Sequence, residues 1–208
     1  MSALAQLDKA INLNQEGHIM EKEDSRYYEA VVAKKRMFGG KIFNVDVEQV
    51  VLPNGIPDIR EVVEHHGAVG IIPFTDDGKM IFVRQWRTPL DQETLEIPAG
   101  KIDPDEGSDL KEVALREMDE ELGMTTDNLE KVTAFFASPG YSNAKLTMFK
   151  ATNLKKVEFK RPLDPDEFLN VEELTLSEAK EQIKQGVICD SKTIYAITYW
   201  ELLQAKEK

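Results

Sequence analysis

The stretch from Thr94 to Met124 constrains this chain more than any other. Thr94 to Ile97 reads as a short strand, Pro98-Ala99-Gly100 breaks it, and Ser108 to Leu122 reads as a helix. Ser108 or Asp109 can cap that helix and Gly123 can end it. Leu110, Val113, Ala114, Met118 and Leu122 fall at i, i+3, i+4, i+8 and i+12, one broad apolar stripe. Beside the stripe the helix is acidic: Arg116-Glu117-Met118-Asp119-Glu120-Glu121-Leu122-Gly123-Met124. Glu117 and Glu121 are four apart and Glu120 lies three after Glu117, so the three project from one side of a regular helix.

The rest of the chain is strand-rich. Tyr28 to Phe38, Ile42 to Leu52 and Asp58 to His65 carry β-branched and aromatic residues, with Pro53-Asn54-Gly55 as a turn. They predict a small antiparallel N-terminal sheet. Ala68 to Phe74 and Met80 to Trp86 flank Thr75-Asp76-Asp77-Gly78 as a hairpin. Lys131 to Ser138, Leu146 to Thr152 and Phe168 to Leu174 read as further strands. Ser177 to Gln185 and Ser191 to Lys206 read as closing helices. Strands and helices mixed in this way predict an α/β (α+β) sandwich with a mixed sheet. The first 25 residues are polar, with a weak helical pattern at Leu4, Leu7 and Ile11, and predict an extension or a short helix.

Charge narrows the function. The chain has 38 acidic and 26 basic residues, a net of −12. That argues against a nucleic-acid partner, which needs clustered Lys and Arg. No run of about 18 apolar residues offers a membrane span, and the N-terminus lacks the pattern of a secretory signal. The single cysteine, Cys189, cannot form an internal disulfide. A cytoplasmic protein is the expectation. His65 and His66 are adjacent and point to opposite faces of a strand, so they read as structural. No calcium-binding loop of the D-x-D-x-D-G type is present.

Like charges at helical spacing repel by a few tenths of a kcal/mol per pair. They form either a solvated acidic face or a cation site. Hard oxygen ligands of this kind suit Mg²⁺ or Mn²⁺, which keep waters and borrow phosphate oxygens from substrate. A bound cation would also reverse the local sign for a phosphate substrate on an acidic protein.

Gly100, Glu106 and the whole Arg116-to-Met124 segment resemble the Nudix box. Nine residues, Gly107 to Leu115, separate Glu106 from Arg116, two more than in the family pattern, which puts the role of Glu106 in question. Leu95-Glu96-Ile97-Pro98-Ala99-Gly100-Lys101-Ile102-Asp103 and Ser138-Pro139-Gly140 are similar to the ADP-ribose pyrophosphatase branch. So is Val83-Arg84-Gln85-Trp86-Arg87. The similarity runs from about Met37 to Leu203.

The resemblance implies a Nudix α/β/α sandwich over residues 67–208. An N-terminal sheet over 26–66 would serve dimerisation and substrate binding, and 1–25 would be an extension. It implies that Glu117 and Glu121 bind metal with the Ala99 carbonyl, that Glu120 assists, and that Arg116 holds the glutamates. In Asp164-Pro165-Asp166-Glu167-Phe168 it makes Glu167 the residue that orients or deprotonates water, the alternative being a plain polar turn. Arg87 is the implied phosphate contact, and Glu96 and Pro139 are further substrate contacts. Arg60 is either a contact to base or phosphates or a strand-surface arginine. Ile42 or Phe43 could reach a base, or be core. Asp190-Ser191-Lys192 opens the last helix and is either a cap or the contact associated with broader nucleoside diphosphate sugar hydrolysis. Ala144 stands where relatives often carry a glutamate. The implied activity is metal-dependent cleavage of ADP-ribose, to AMP and ribose 5-phosphate, or of related nucleoside diphosphate sugars, by a homodimer. The competing reading is a Nudix-fold sensor that holds such a ligand without cutting it.

Overall fold

A computed structural model describes residues 11–13, 19–21, 25–103 and 109–206. Glu106 and Ser108 lie outside the described residues, as do Leu4 and Leu7. The chain divides into two compact units, 1–64 and 65–208.

In the first unit, β1 (Ile11–Leu13) pairs antiparallel with β2 (Ile19–Glu21). Ile11 is therefore in a strand, not in the short helix its spacing suggested. β3 (Ala30–Gly39), β4 (Asn44–Val51) and β5 (Pro57–Glu64) form an antiparallel sheet in that order. One face carries charge: Asp46, fully buried, is paired with Lys34 at 3.0 Å and with Arg36, and Arg36 reaches Glu64 at 2.6 Å. These cations hold the Asp46 carboxyl down at about 2, against the opposing push of burial.

The second unit is a layered sandwich. β6 (Ala68–Pro73) lies at the centre of a mixed sheet ordered β11-β12-β6-β9. There β11 is Asn128–Phe136, β12 is Lys145–Thr152 and β9 is Ala99–Lys101. β12 runs parallel to β6, and the other pairs are antiparallel. A second sheet is ordered β14-β7-β8, with β14 at Leu169–Leu174, β7 at Met80–Arg87 and β8 at Gln92–Glu96. β6 and β7 do not form the expected hairpin: they lie in different sheets, joined by a tight turn with one bridge between Phe74 and Met80 and with Gly78 at φ +79°, which favours a residue without Cβ.

Strand β6 is apolar on both faces because both are covered. Val69 and Ile71 pack with Val113, Ala114 and Met118 of the acidic helix. Ile72 packs with Phe82, Leu95 and Ile97 beneath α2 (Leu176–Lys184) and α3 (Ser191–Lys206), through Ala179, Ala196, Ile197 and Trp200. Helices thus lie on both sides of the strands, the α/β/α arrangement expected. Thr175 and Glu178 form a reciprocal cap on α2. Among the described residues no helix is long and apolar enough to cross a membrane.

Two features depart from the sequence reading. Ala99–Lys101 continues as strand β9 after Pro98, where a break was expected, because it pairs with Ala68–Gly70 of β6. The acidic helix is not uniform. It is α-helical as α1 over Leu110–Glu117, capped by Asp109, whose carboxylate accepts from Lys111 N–H at 2.9 Å. It then widens into a π turn over Met118–Leu122 and ends at Gly123, φ +65°. Periodicity alone assumes an even helix and cannot show such a turn, which is a frequent mark of functional helices.

Phe82 is fully buried between strand and helix layers. Phe82→Ala is expected to cost about 3–5 kcal/mol of stability by urea unfolding, the range for large cavities in a packed core.

Candidate active site

The π turn and strand β9 make the floor of the site. Glu117 is the last residue of α1 and Glu121 lies within the π turn, and both are buried, Glu121 to 3 % exposure. Glu117 lies flat against the β9 backbone. A Cβ added at Gly100 would stand 1.7 Å from Glu117 Oε1 and 2.4 Å from its Cγ. Glycine at this position is what lets the carboxylate in.

Arg116 ties the acidic row together. One of its guanidinium nitrogens lies 2.8 Å from Glu117 Oε1 and 2.6 Å from Glu120 Oε2. Lys101 carbonyl accepts a further bond from it at 3.4 Å. Glu121 receives a hydrogen bond from the Ala99 backbone, but its Oε2 is buried and finds no partner among the described residues. An orphaned carboxylate oxygen is costly to bury.

The electrostatics follow from this burial. Burial pushes Glu117 up to about 7. Arg116 opposes this, and Glu120 and Glu167 add to it. Burial pushes Glu121 up to about 8, reinforced by Glu117 and Glu167 and opposed by Ala99 and Lys192. Glu167 therefore lies within electrostatic reach of both. It follows a turn closed by its own N–H on the Asp164 carbonyl at 2.9 Å, and burial, then Asp164, push its carboxyl up too.

A second cluster lies within reach of the first. Glu96, at the end of β8 and 2 % exposed, takes a two-pronged ion pair from Arg87 at the end of β7, at 2.6 and 2.8 Å. Lys192 also donates to Glu96 and, at 2.9 Å, to Asp190. Thr94 Oγ1 donates to Glu96 at 2.7 Å. Burial is the largest single influence on Glu96 and pushes its carboxyl up. Arg87, Lys192 and Thr94 together outweigh it and hold the group at about 2. Arg87 is raised chiefly by Glu96, against burial, with added pull from Asp190 and Glu121. Asp190 does cap α3, accepting from Thr193 N–H at 3.0 Å, and so touches Lys192 as well.

Pro139 sits on an exposed turn after β11, where Tyr141 and Ser142 N–H both reach the Ser138 carbonyl. Arg60 belongs to the first unit. It is gripped by both Glu29 oxygens at 2.7 and 2.8 Å and by Asp58 at 2.6 Å. Ile42 and Phe43 are exposed, not core.

Several participants carry no motif signature. Thr94 and Thr193 are fully buried. Thr193 Oγ1 accepts from Ile97 N–H at 3.0 Å, one residue before Pro98. Lys160, whose Nζ donates to the Glu121 carbonyl at 3.1 Å, gives no sequence signal.

Among the described residues no three carboxylate, imidazole or thiolate groups converge into a ready metal cage. Glu120 is drawn to Arg116 and Glu167 comes from another loop. Two buried carboxylates with one unpartnered oxygen nevertheless fit Mg²⁺ or Mn²⁺, which bind through one or two carboxylates, waters and substrate phosphate.

A family model for the NUDIX domain matches residues 64–196. The chain is 44 % identical over 177 residues to an ADP-ribose pyrophosphatase of Bacillus subtilis (strain 168), spanning 85 % of this chain and 95 % of that protein. It is 39 % identical over 179 residues to a methanol dehydrogenase activator of Bacillus methanolicus, spanning 86 % and 96 %. The crystal structure of an ADP compounds hydrolase superposes with a TM-score of 0.73 at 22 % identity. It covers 86 % of this chain and 95 % of that one, a likeness of fold.

Two outcomes are expected of the buried pair. In Gly100→Ala the added methyl displaces the flexible Glu117 side chain. The fold should survive, while the rise in Tm on adding Mg²⁺ is lost. The second outcome is a pH dependence. Folded Glu117 and Glu121 titrate above the ordinary 4.5, so the native state keeps protons that the unfolded chain has released. Their stabilising contribution is full below about 4.5 and is lost as pH rises through about 7 and 8. The Tm of the metal-free protein should fall by roughly 5 °C between about pH 5 and pH 8. Glu121→Gln should flatten that slope.

Proposed function

The chain belongs to the Nudix hydrolase family, and on that basis we propose that it hydrolyses the pyrophosphate of ADP-ribose or a related nucleoside diphosphate sugar. The products from ADP-ribose are AMP and ribose 5-phosphate, and the reaction needs Mg²⁺ or Mn²⁺. The observation that carries this reading is the pair of buried carboxylates, Glu117 and Glu121, the second of them within electrostatic reach of Arg87 and Lys192. The similarity to an ADP-ribose pyrophosphatase supports the choice of substrate.

Glu117, Glu121 and the Ala99 carbonyl hold the cation in this reading, with Glu120 assisting. When bound, it supplies positive charge that polarises the phosphoryl oxygens and stabilises the leaving phosphate. Arg116 keeps Glu117 and Glu120 from swinging into solvent. Arg87 faces the phosphates and is pre-aimed by Glu96, so little entropy remains to be lost when an anion arrives. Glu167 takes the proton from water. Its raised carboxyl is better matched to neutral pH than an ordinary glutamate, which suits a general base. Asp190 and Lys192 contact the sugar half, with Pro139 on the loop beside the substrate.

The first unit exposes Val32, Met37, Phe38, Ile42 and Ile59. Exposed apolar area of this kind supports a homodimer in which the N-terminal sheet serves dimerisation and substrate binding. Arg60, as a contact to base or phosphates, is part of the same proposal.

The test is product analysis with ADP-ribose, ADP-glucose, UDP-glucose and dinucleoside polyphosphates, with Mg²⁺ and with EDTA. AMP and ribose 5-phosphate should appear with metal and not with EDTA. Glu121→Gln should lower kcat/KM by about three orders of magnitude, or about 4 kcal/mol. If ADP-ribose raises Tm and is not cut, the protein is a sensor and the catalytic roles are withdrawn.

A further inference from the structure

Glu167 comes from a loop remote in sequence, yet lies within electrostatic reach of Glu117 and Glu121. What fixes that loop is visible in the contacts just before it. β13 (Lys155–Lys156) pairs with β10 (Met124–Thr125), which directly follows the π turn, and Val157 N–H donates to the Gly123 carbonyl at 3.0 Å. Lys160 Nζ donates to the carbonyl of Glu121 itself, its stem lying over Gly123, where an added Cβ would meet the Lys160 Cδ at 3.2 Å. A cation on the last carbonyls of a helix also complements its dipole. Arg161 then grips Asp119 twice: its backbone N–H donates to Oδ1 at 3.0 Å, and its Nε lies 3.3 Å from Oδ2.

Asp119 lies between Glu117 and Glu121 in sequence, yet it points away to a partner outside the acidic row. Between Arg161 and Glu167 the chain reads Pro162-Leu163-Asp164-Pro165-Asp166. Pro162 biases Arg161 towards extended backbone, and each proline fixes its own φ. Pro165 occupies the second position of the turn closed by Glu167 N–H on the Asp164 carbonyl, where proline is favoured. A segment this short and stiff passes the position of Arg161 on to Glu167. Beyond Glu167 the chain is fixed again, as Leu169 pairs with Gln85 of β7, two residues from Arg87.

We propose that Asp119, through Arg161, is a positioning residue for hydrolysis: it anchors the loop bearing Glu167 to the helix bearing Glu117 and Glu121. Lys160 supplies a second anchor point on the same helix. This rests on the reading of Glu167 as the base. It adds a link between the halves of the site that neither half needs in order to bind metal or phosphate.

The experiment is a double-mutant cycle on the full chain, with kcat and KM for ADP-ribose at saturating Mg²⁺. Asp119→Ala should lower kcat by about 10- to 100-fold, the scale of a misplaced catalytic group, with KM within about twofold. Asp119→Asn, which keeps the acceptor for the Arg161 N–H, should recover most of the loss. Arg161→Ala keeps that backbone bond and should fall between them, and it serves if Asp119→Ala does not fold. Adding Asp119→Ala to Glu167→Gln should cost nothing further, because both act through one group. The Mg²⁺-induced rise in Tm should be unchanged in Asp119→Ala. Multiplying losses in the double variant overturn the proposal, as does an effect on KM alone. If Glu167→Gln loses activity and Asp119→Ala does not, the anchor is wrong and the base stands. If Glu167→Gln keeps full activity, the base assignment falls and takes the anchor with it.

Discussion

Two carboxylates buried beside one another are the constraint around which the second unit is arranged. An ionised carboxylate that lacks a partner in a protein interior either shifts its pKa or draws a cation. Glu117 and Glu121 are held in that condition by neighbours that cannot move: the Gly100 backbone on one side, and the layer of Val113, Ala114 and Met118 packed on Val69 and Ile71 on the other. The helix cannot rotate its acids into water without exposing its apolar stripe. Hydrophobic burial thus holds charge where charge is unfavourable, and a bound cation can relieve that cost.

The second cluster solves the opposite problem. Glu96 is as buried as Glu121, yet it sits well below the ordinary glutamate range because Arg87, Lys192 and Thr94 supply it with donors. Equal burial with opposite outcomes shows that partners, not depth, decide the state of each carboxyl. The two clusters differ accordingly: one keeps a buried carboxylate oxygen without a partner, the other meets its carboxylate with Arg87, Lys192 and Thr94.

Much of this was legible in the sequence because it rests on short-range regularity. The apolar stripe from Leu110 to Leu122 has a helical period, and Gly78 announces the turn between β6 and β7, though not that the two strands enter different sheets. Arg116, Glu117, Glu120 and Glu121 lie within six residues, so their proximity followed from helical spacing. What escaped depends on contacts distant in sequence. Lys160 meets Glu121 across 39 residues, and Arg161 meets Asp119 across 42. The π turn escaped because a periodic pattern carries no sign of one widened turn. Strand β9 escaped because a proline and a glycine in three residues read as a stop, and only its partner β6 makes it a strand. Arg60 read as either a contact to base or phosphates or a strand-surface arginine, and nothing local showed that Glu29, 31 residues earlier, would pair with it.

The raised carboxyls of Glu117 and Glu121 bear on how metal binding would be seen in a calorimeter. Burial pushes Glu117 up to about 7 and Glu121 up to about 8, so the metal-free pair retains protons at pH values where ordinary glutamates have lost them. A cation that takes both oxygens must evict those protons into the buffer. Ion capture at this site would therefore also be acid release, and its heat would carry the ionisation enthalpy of whatever buffer accepts the protons. The same exchange makes apparent affinity climb with alkalinity, so the protein would trade one positive charge for another as its surroundings change.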